Sequence, residues 1–128
     1  MYNKLVESCF FAPQHVGVIT QSNPFVFHCR SGARGRGDFF DLYLLAKEGK
    51  ITQGRFKAYG NPYLIAGLEW LCRQLEGSDV NQHPCYTHLD FAKQLGIPKT
   101  RYSVALQLED GYREIILLMQ FKLQEEKS

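Results

Sequence analysis

The spacing of apolar residues divides the chain into a first half of mainly extended segments and a second half of helices. Apolar residues between Leu5 and Phe10 recur at helical spacing and predict a short helix that ends near Pro13. Residues 16–20, 24–29, 39–46 and 51–59 are β-branched or alternate in polarity, which predicts strands. A turn at residues 47–50 contains Gly49, so the last two strands are expected to form an antiparallel hairpin with a four-residue connection.

Three helices are predicted in the second half. The first begins at Asn61 and Pro62, because asparagine is a favoured N-cap and proline is tolerated at the first helical position. Its apolar residues recur at helical spacing as far as residue 75, and Gly77 ends it. A short second helix begins with a capping box of Thr87 and Asp90, with Leu89 on its apolar side.

The last helix begins near Tyr102, and its charged tail is expected to fray from Gln124 onward. Gly111 inside this helix costs about 1 kcal/mol relative to alanine, so close tertiary packing is expected there. Strands followed by helices indicate an α+β fold, with helices covering one face of a small antiparallel sheet of about three strands. The 128 residues are expected to form a single domain, 1–128.

Composition and charge exclude several classes of protein. With 45% hydrophobic residues the chain can form a core, which excludes a disordered protein. A net charge of +2 argues against a general nucleic-acid binder, and no apolar run is long enough for a membrane helix. The N-terminus lacks the pattern of a secretory signal, and the four cysteines are too scattered for a disulfide-stapled domain. We therefore expect a cytoplasmic protein.

Several motifs resemble the iron–sulfur cluster scaffold family, of the NifU N-terminal and IscU type. Residues 12–17 are similar to the family's Asn-Pro-x-Asn-Val-Gly segment, and residues 37–42 stand where the family reads Gly-Asp-x-x-x-Leu. Residues 49–51 match its Gly-x-Ile turn, and residues 55–60 match its Phe-Lys-Thr-Tyr-Gly signature. Residues 108–110 stand where the family has Ala-Glu-Asp in its last helix. The matched segments follow the family's order along nearly the whole chain.

The resemblance also implies where this chain departs from the family. The family holds its cluster with three cysteines, and the corresponding positions here are Arg36, Asn61 and Val104. Ser103 stands where many members have a histidine, and Asp38 alone is retained from the site. One carboxylate cannot hold a cluster, because thiolates are its preferred ligands. The resemblance therefore implies a degenerate scaffold that has lost its cluster site.

A degenerate scaffold is expected to act as a protein–protein interaction or adaptor module rather than as an enzyme. The family meets its cysteine desulfurase around the loops that differ here, so a desulfurase-like protein or a larger assembly is the expected partner. The expected contact residues are Arg34, Arg36, Tyr59 and Asn61. No resident cofactor is expected for this function.

A second interpretation retains metal handling through relocated ligands. His83, Cys85 and His88 place three zinc or iron ligands within six residues, and Asp38 and Cys29 are further candidates. This alternative would make the chain a working iron–sulfur or metal-binding assembly protein, with an iron–sulfur cluster or zinc as its cofactor. Against it, there is no Cys-x-x-Cys pair, and free cysteines are usually buried apolar residues.

Other chemistry has little support in the sequence. The arginine-rich loop at residues 30–36 could contact phosphate or RNA, but it matches no nucleotide-binding fingerprint, and a contact with a protein partner is favoured. No serine lies in a nucleophile elbow, so no catalytic residues are predicted. Glu109 and Asp110 are interpreted as solvent-facing or capping groups of the last helix.

Overall fold

The computed structural model describes residues 2–20, 25–32 and 37–127, with side chains as far as residue 125. In chain order its elements are helix α1 (Lys4–Phe11), strands β1 (Val26–Ser31), β2 (Phe39–Lys47) and β3 (Lys50–Tyr59), and helices α2 (Pro62–Leu75), α3 (His88–Leu95) and α4 (Tyr102–Lys127). A short 3-10 turn at Lys99–Arg101 leads into α4. The strands form one antiparallel sheet in the order β1-β2-β3, which confirms the predicted α+β fold with a three-stranded sheet.

The hairpin between β2 and β3 is tighter than predicted. Lys47 pairs with Lys50, so the loop contains only Glu48 and Gly49. Their φ angles are 53° and 80°, and two consecutive positive values are typical of a type I′ turn. The predicted four-residue connection was therefore wrong in length, because its outer residues belong to the strands.

Helices α2 and α4 cover the sheet face formed by three fully buried side chains of β2: Phe40, Leu42 and Leu44. Helix α4 approaches β2 so closely that a Cβ atom on Gly111 would lie 2.5 Å from Cζ of Phe40. A Cβ atom on Gly67 of α2 would likewise collide with the side chain of Leu108 on α4. The missing side chains let these elements pack closely, which explains a glycine inside α4 as expected from the sequence.

The predicted strand at residues 16–20 is wrong. Val16 forms only an isolated parallel bridge with Phe56, on the outer edge of β3. The bridge consists of hydrogen bonds from Gly17 N–H to Phe56 O (2.8 Å) and from Phe56 N–H to His15 O (2.9 Å). Val16 and Val18 are 57% and 51% exposed, so the β-branched run does not form a buried strand face.

The segment before that bridge is fixed by a fully buried carboxylate, that of Glu69 on α2. Glu69 Oε1 accepts the N–H groups of Gln14 and His15 at 2.9 Å each. Glu69 Oε2 accepts hydrogen bonds from His15 Nδ1 (2.6 Å) and Arg73 Nε (2.8 Å). The other ring nitrogen of His15 lies 2.7 Å from Glu76 Oε1. This network attaches the chain after α1 to α2 and, through Glu76, to β3.

The helix starts in the second half lie where the sequence predicts them. Asn61 is the N-cap of α2, and its side chain accepts the N–H of Tyr63. Thr87 and Asp90 form the predicted capping box of α3. The apolar side of α3 differs in one position, because Leu89 is 60% exposed and Phe91 is fully buried instead.

Helix α4 continues to Lys127, so the charged residues from Gln124 to Lys127, where fraying is expected, have a helical backbone in the structure. Glutamine, glutamate and lysine fill its last turns and are good helix formers, which explains the continuation. Within the described ranges, the structure contains no helix that is both long and apolar enough to cross a membrane.

The close approach at Gly111 predicts a destabilised Gly111→Ala variant. The added methyl group would clash with the Phe40 ring, and this cost exceeds the gain in helix propensity. We expect the free energy of unfolding to fall by about 1–3 kcal/mol in urea titrations. The neighbouring exposed substitution Asp110→Ala is the control and should change stability by less than about 0.5 kcal/mol. Equal stability of the two variants would contradict the close packing.

The Glu76 carboxylate predicts a pH dependence of stability. Burial works to raise its pKa, but hydrogen bonds from Gly54 N–H, His15 and Arg55 outweigh burial and hold the pKa below its ordinary value of 4.5. Its contribution is therefore complete above pH 4.5 and is lost as the pH falls through the lower pKa of the folded state. Urea unfolding at a series of pH values should show a shallower acid-side loss in Glu76→Gln. If the free energy of unfolding of Glu76→Gln falls as steeply at acid pH as that of the wild type, this role of Glu76 is contradicted.

Candidate functional site

Asp38, Asn61 and helix α4 meet at one end of the sheet. Asp38 directly precedes β2, Asn61 follows β3, and the antiparallel pairing of Phe39 with Tyr59 brings the two ends together. Asp38 Oδ1 accepts the N–H of Asn61 at 2.7 Å. Gln107 Nε2 of α4 donates to the Asp38 carbonyl oxygen at 3.2 Å. Residues distant in sequence therefore form one cluster.

Asn61 is hydrogen-bonded to the Asp38 side chain and to the backbone of α2. Its N–H binds Asp38, its side-chain oxygen accepts Tyr63 N–H at 2.8 Å, and its carbonyl accepts Leu64 N–H at 2.9 Å. The preceding Gly60 has a φ of 131°, and a Cβ atom there would collide with the Asp38 carboxylate. Glycine at this position therefore permits the close approach of Asp38 to the start of α2.

The other two positions singled out by the resemblance lie in the first turns of α4. Val104 is 1% exposed and belongs to the hydrophobic core, whereas Ser103 is exposed. Val104 is three residues before Gln107, so the two share a side of the helix near Asp38. The structure thus brings Asp38, Asn61 and Val104 to the same end of the fold. Arg34 and Arg36 lie outside the described residues.

Tyr59 presents an exposed aromatic ring beside this cluster. It is 71% exposed, and its ring stacks on that of Phe39 with a centroid separation of 6.0 Å. The guanidinium of Arg30 lies 5.7 Å from the centroid of the same Phe39 ring. The structure describes two of the expected partner-contact residues, Tyr59 and Asn61. Tyr59 offers a large exposed aromatic surface. Asn61 instead uses its N–H and its side-chain oxygen in hydrogen bonds within the fold.

The sheet face opposite the helices carries a charge network that sequence reasoning missed. Asp41 is 5% exposed, and its Oδ1 contacts His28 Nε2 at 2.6 Å and Arg30 Nε at 2.9 Å. Burial works to raise the pKa of Asp41, but the hydrogen bonds and charges of Arg30 and His28 outweigh burial and lower it. Asp41 pairs with Arg30 across the strands, a register that the sequence does not reveal.

Most of the thiols are unsuited to metal binding. Cys9, Cys29 and Cys72 are buried, and only Cys85 is exposed. Burial raises the pKa of all three buried thiols, and burial together with the nearby charges of Glu114 and Asp41 raises that of Cys29 to about 12. The thiolate is the form that binds metal, so these three side chains remain neutral core residues at neutral pH.

The candidate metal ligands His83, Cys85 and His88 do not assemble into a site. His83 Nδ1 lies 3.1 Å from the Tyr112 hydroxyl, and His88 Nδ1 lies 3.0 Å from Glu109 Oε1. Among the residues that the structure describes, no group of three or more histidine, cysteine, aspartate or glutamate side chains could hold a metal ion. Residues of α4 contact both histidines, so the three side chains do not form a ligand group in this structure, and a metal role for them stays a prediction. The further candidate ligands Asp38 and Cys29 belong to no such group either, among the residues that the structure describes.

Glu109 also differs from the sequence-based interpretation. It is 8% exposed and accepts the His88 N–H at 2.6 Å and Arg113 Nη2 at 2.9 Å. The hydrogen bonds from His88 are the main reason that the pKa of Glu109 lies below its usual value. Glu109 thus stabilises the first residue of α3 rather than capping its own helix, while Asp110 is exposed as expected.

Comparisons with known proteins agree with the fold and with the motifs. The family model for the NifU-like N terminal domain matches residues 1–116. The iron–sulfur cluster assembly scaffold protein IscU of Escherichia coli K12 is 25% identical over 116 residues, covering 90% of this chain and 91% of that protein. The iron–sulfur cluster assembly enzyme IscU of Drosophila melanogaster is 24% identical over 128 residues, covering 99% of this chain and 82% of that protein.

A further relative and a solved structure are also similar to this chain. The mitochondrial iron sulfur cluster assembly protein 1 of Schizosaccharomyces pombe is 25% identical over 117 residues, and the chain spans only 61% of its length. The crystal structure of an N-terminal NifU-like protein from Brucella abortus superposes with a TM-score of 0.66 at 14% identity, covering 94% of each chain, which shows a shared fold. By the extent of the family match, the chain belongs to the NifU-like N-terminal domain family of iron–sulfur cluster assembly scaffolds.

Proposed function

We propose that this chain is a degenerate member of the scaffold family that builds no cluster, carries no resident cofactor, and acts as a non-catalytic protein-interaction module. The observation that carries the proposal is the set of residues at the three positions where the resemblance implies ligand cysteines. Those positions hold Arg36, Asn61 and Val104. None of the three side chains supplies the soft anionic sulfur that clusters require.

The local structure at two of these positions supports the loss of cluster chemistry. The Asn61 side chain caps α2 and its N–H binds the Asp38 carboxylate, so both groups already have roles in the fold. Val104 is buried in the core and offers only an apolar surface. A single carboxylate engaged in a hydrogen bond is a poor basis for holding iron.

The remaining cysteines support the same proposal. The three buried thiols have raised pKa values, and Cys85 is exposed but belongs to no metal-binding group within the described part of the chain. All four cysteines are free thiols, which suits the reducing cytoplasm as the location of the protein.

The surface around Tyr59 is the proposed partner contact. An exposed aromatic ring with an arginine nearby is typical of interface hot spots, and Arg30 lies next to the Tyr59–Phe39 stack. Arg34 and Arg36 add positive charge to the segment of the sequence between β1 and β2. The proposed partner is a cysteine-desulfurase-like protein, alone or within a larger assembly, that presents an acidic surface.

Anaerobic reconstitution with ferrous iron and sulfide tests the loss of cluster assembly. We expect the wild-type chain to remain colourless and to retain no stoichiometric iron after desalting. The triple variant Arg36→Cys, Asn61→Cys, Val104→Cys introduces a thiol at each of the three positions and should acquire visible charge-transfer absorption. A cluster on the wild-type chain would contradict the proposal.

The matched control for reconstitution keeps the same number of added cysteines. In it, Leu106→Cys replaces Val104→Cys, because Leu106 lies two residues further along α4 and is 45% exposed. Circular dichroism of both variants should confirm a folded chain, since loss of the Asn61 cap costs about 1 kcal/mol. Equal cluster content in the two variants would show that the added thiols do not define a site.

Calorimetric titration with the purified cysteine desulfurase of the same organism tests the partner contact. We expect Tyr59→Ala and Arg36→Glu each to weaken binding by at least about tenfold, because hot-spot side chains dominate interface affinity. Phe11→Ala is the matched control, since Phe11 is 72% exposed and Tyr59 is 71% exposed. If the wild-type chain does not bind, or if Phe11→Ala weakens binding as much as Tyr59→Ala, the proposed partner or contact is wrong.

A further inference from the structure

The second half of α4 carries large apolar side chains on its solvent-facing side as well as on its buried side. Leu117, Leu118 and Phe121 are 59%, 45% and 66% exposed, while Met119 between them is fully buried against the core. Three large apolar side chains within two turns form a continuous surface patch, because residues three and four apart are neighbours on a helix. Such patches on a surface helix mark contacts with another molecule.

The patch forms a shallow groove whose lining has an internal symmetry. Its six lining residues are Glu114, Leu117, Leu118, Gln120, Phe121 and Gln124. Counted from Met119, each has a counterpart at the same distance on the other side. Leu117 corresponds to Phe121, Leu118 to Gln120, and Glu114 to Gln124. A two-fold axis through position 119 would therefore lay the groove of one copy on the groove of another, with the apolar Leu117 and Phe121 facing each other.

The charges beside the groove follow the same symmetry. Arg113 and Glu125 are also equidistant from position 119, and both are exposed. In an antiparallel pair of α4 helices, Arg113 of one copy would therefore lie opposite Glu125 of the other, and Glu114 opposite the Gln124 amide. A parallel pair would instead place Glu114 beside Glu114, which is repulsive.

We propose that a second copy of this chain occupies the groove, forming an isologous homodimer through antiparallel α4 helices centred on Met119. The central contact is Leu117 of one copy against Phe121 of the other, and it occurs twice because of the symmetry. A single helix pair buries less than the roughly 800 Å² per partner of a standard interface. Self-association is therefore expected in the micromolar range.

Sedimentation velocity of the full chain, from micromolar to near-millimolar concentration, tests the dimer. The wild-type protein should shift from monomer to dimer over this range. Leu117→Glu and Phe121→Glu should each weaken association by about tenfold or more, because they place a charge at the centre of the interface. Leu106→Glu is the matched control, since Leu106 is as exposed as Leu118 at 45% but lies outside the groove.

A charge exchange tests the antiparallel arrangement. Arg113→Glu and Glu125→Arg should each weaken the dimer by about threefold to tenfold, and the double exchange should restore most of the affinity. Arg113 also contacts Glu109, so thermal unfolding of each variant is compared with the wild type to separate a folding defect from an interface defect.

The outcomes distinguish this proposal from other uses of the groove. A wild-type chain that is monomeric at all concentrations, or a dimer unaffected by Leu117→Glu, would overturn it. A dimer weakened by Leu117→Glu but not rescued by the charge exchange would overturn the antiparallel arrangement. Because these variants lie outside the Tyr59 surface, failure here leaves the desulfurase titration unaffected.

Discussion

The contact between Phe40 and Gly111 sets how closely α4 lies against the sheet, and the arrangement of the functional end follows from it. With α4 in this position, Gln107 reaches the carbonyl of Asp38 and Val104 enters the core. Further along the same helix, Glu109 and Tyr112 contact the two histidines that the sequence offers as metal ligands. One close helix–sheet contact therefore determines which polar side chains at this end of the fold form hydrogen bonds with α4.

Much of the fold follows from local signals in the sequence. The helix starts at Asn61 and Thr87 were predictable because capping depends on residues within one turn, and the hairpin was predictable from alternation around Gly49. Residues 16–20 illustrate the limit of such signals. Their β-branched side chains favour an extended backbone, but a strand also needs a partner, and of residues 16–20 only Val16 forms a bridge with β3.

The site was less predictable because its contacts join residues far apart in sequence. The resemblance identified Asp38, Asn61 and Val104 as neighbours, and the structure brings them to one end of the fold. No local pattern predicted that a buried Glu69 would accept hydrogen bonds from Gln14 and His15, because that contact spans more than fifty residues. Spacing rules for metal ligands likewise ignore partners from distant elements, such as the contacts of Tyr112 with His83 and of Glu109 with His88.

The role of Asn61 as a helix cap also affects how this chain can evolve. Because its side chain satisfies the first turn of α2, a single change to cysteine would remove that cap without creating a set of ligands. The intermediate would be less stable and would gain nothing from one thiol alone. At position 61 the capping role of asparagine and a metal-binding role for cysteine therefore exclude each other, so a thiol there is gained only at the expense of stability.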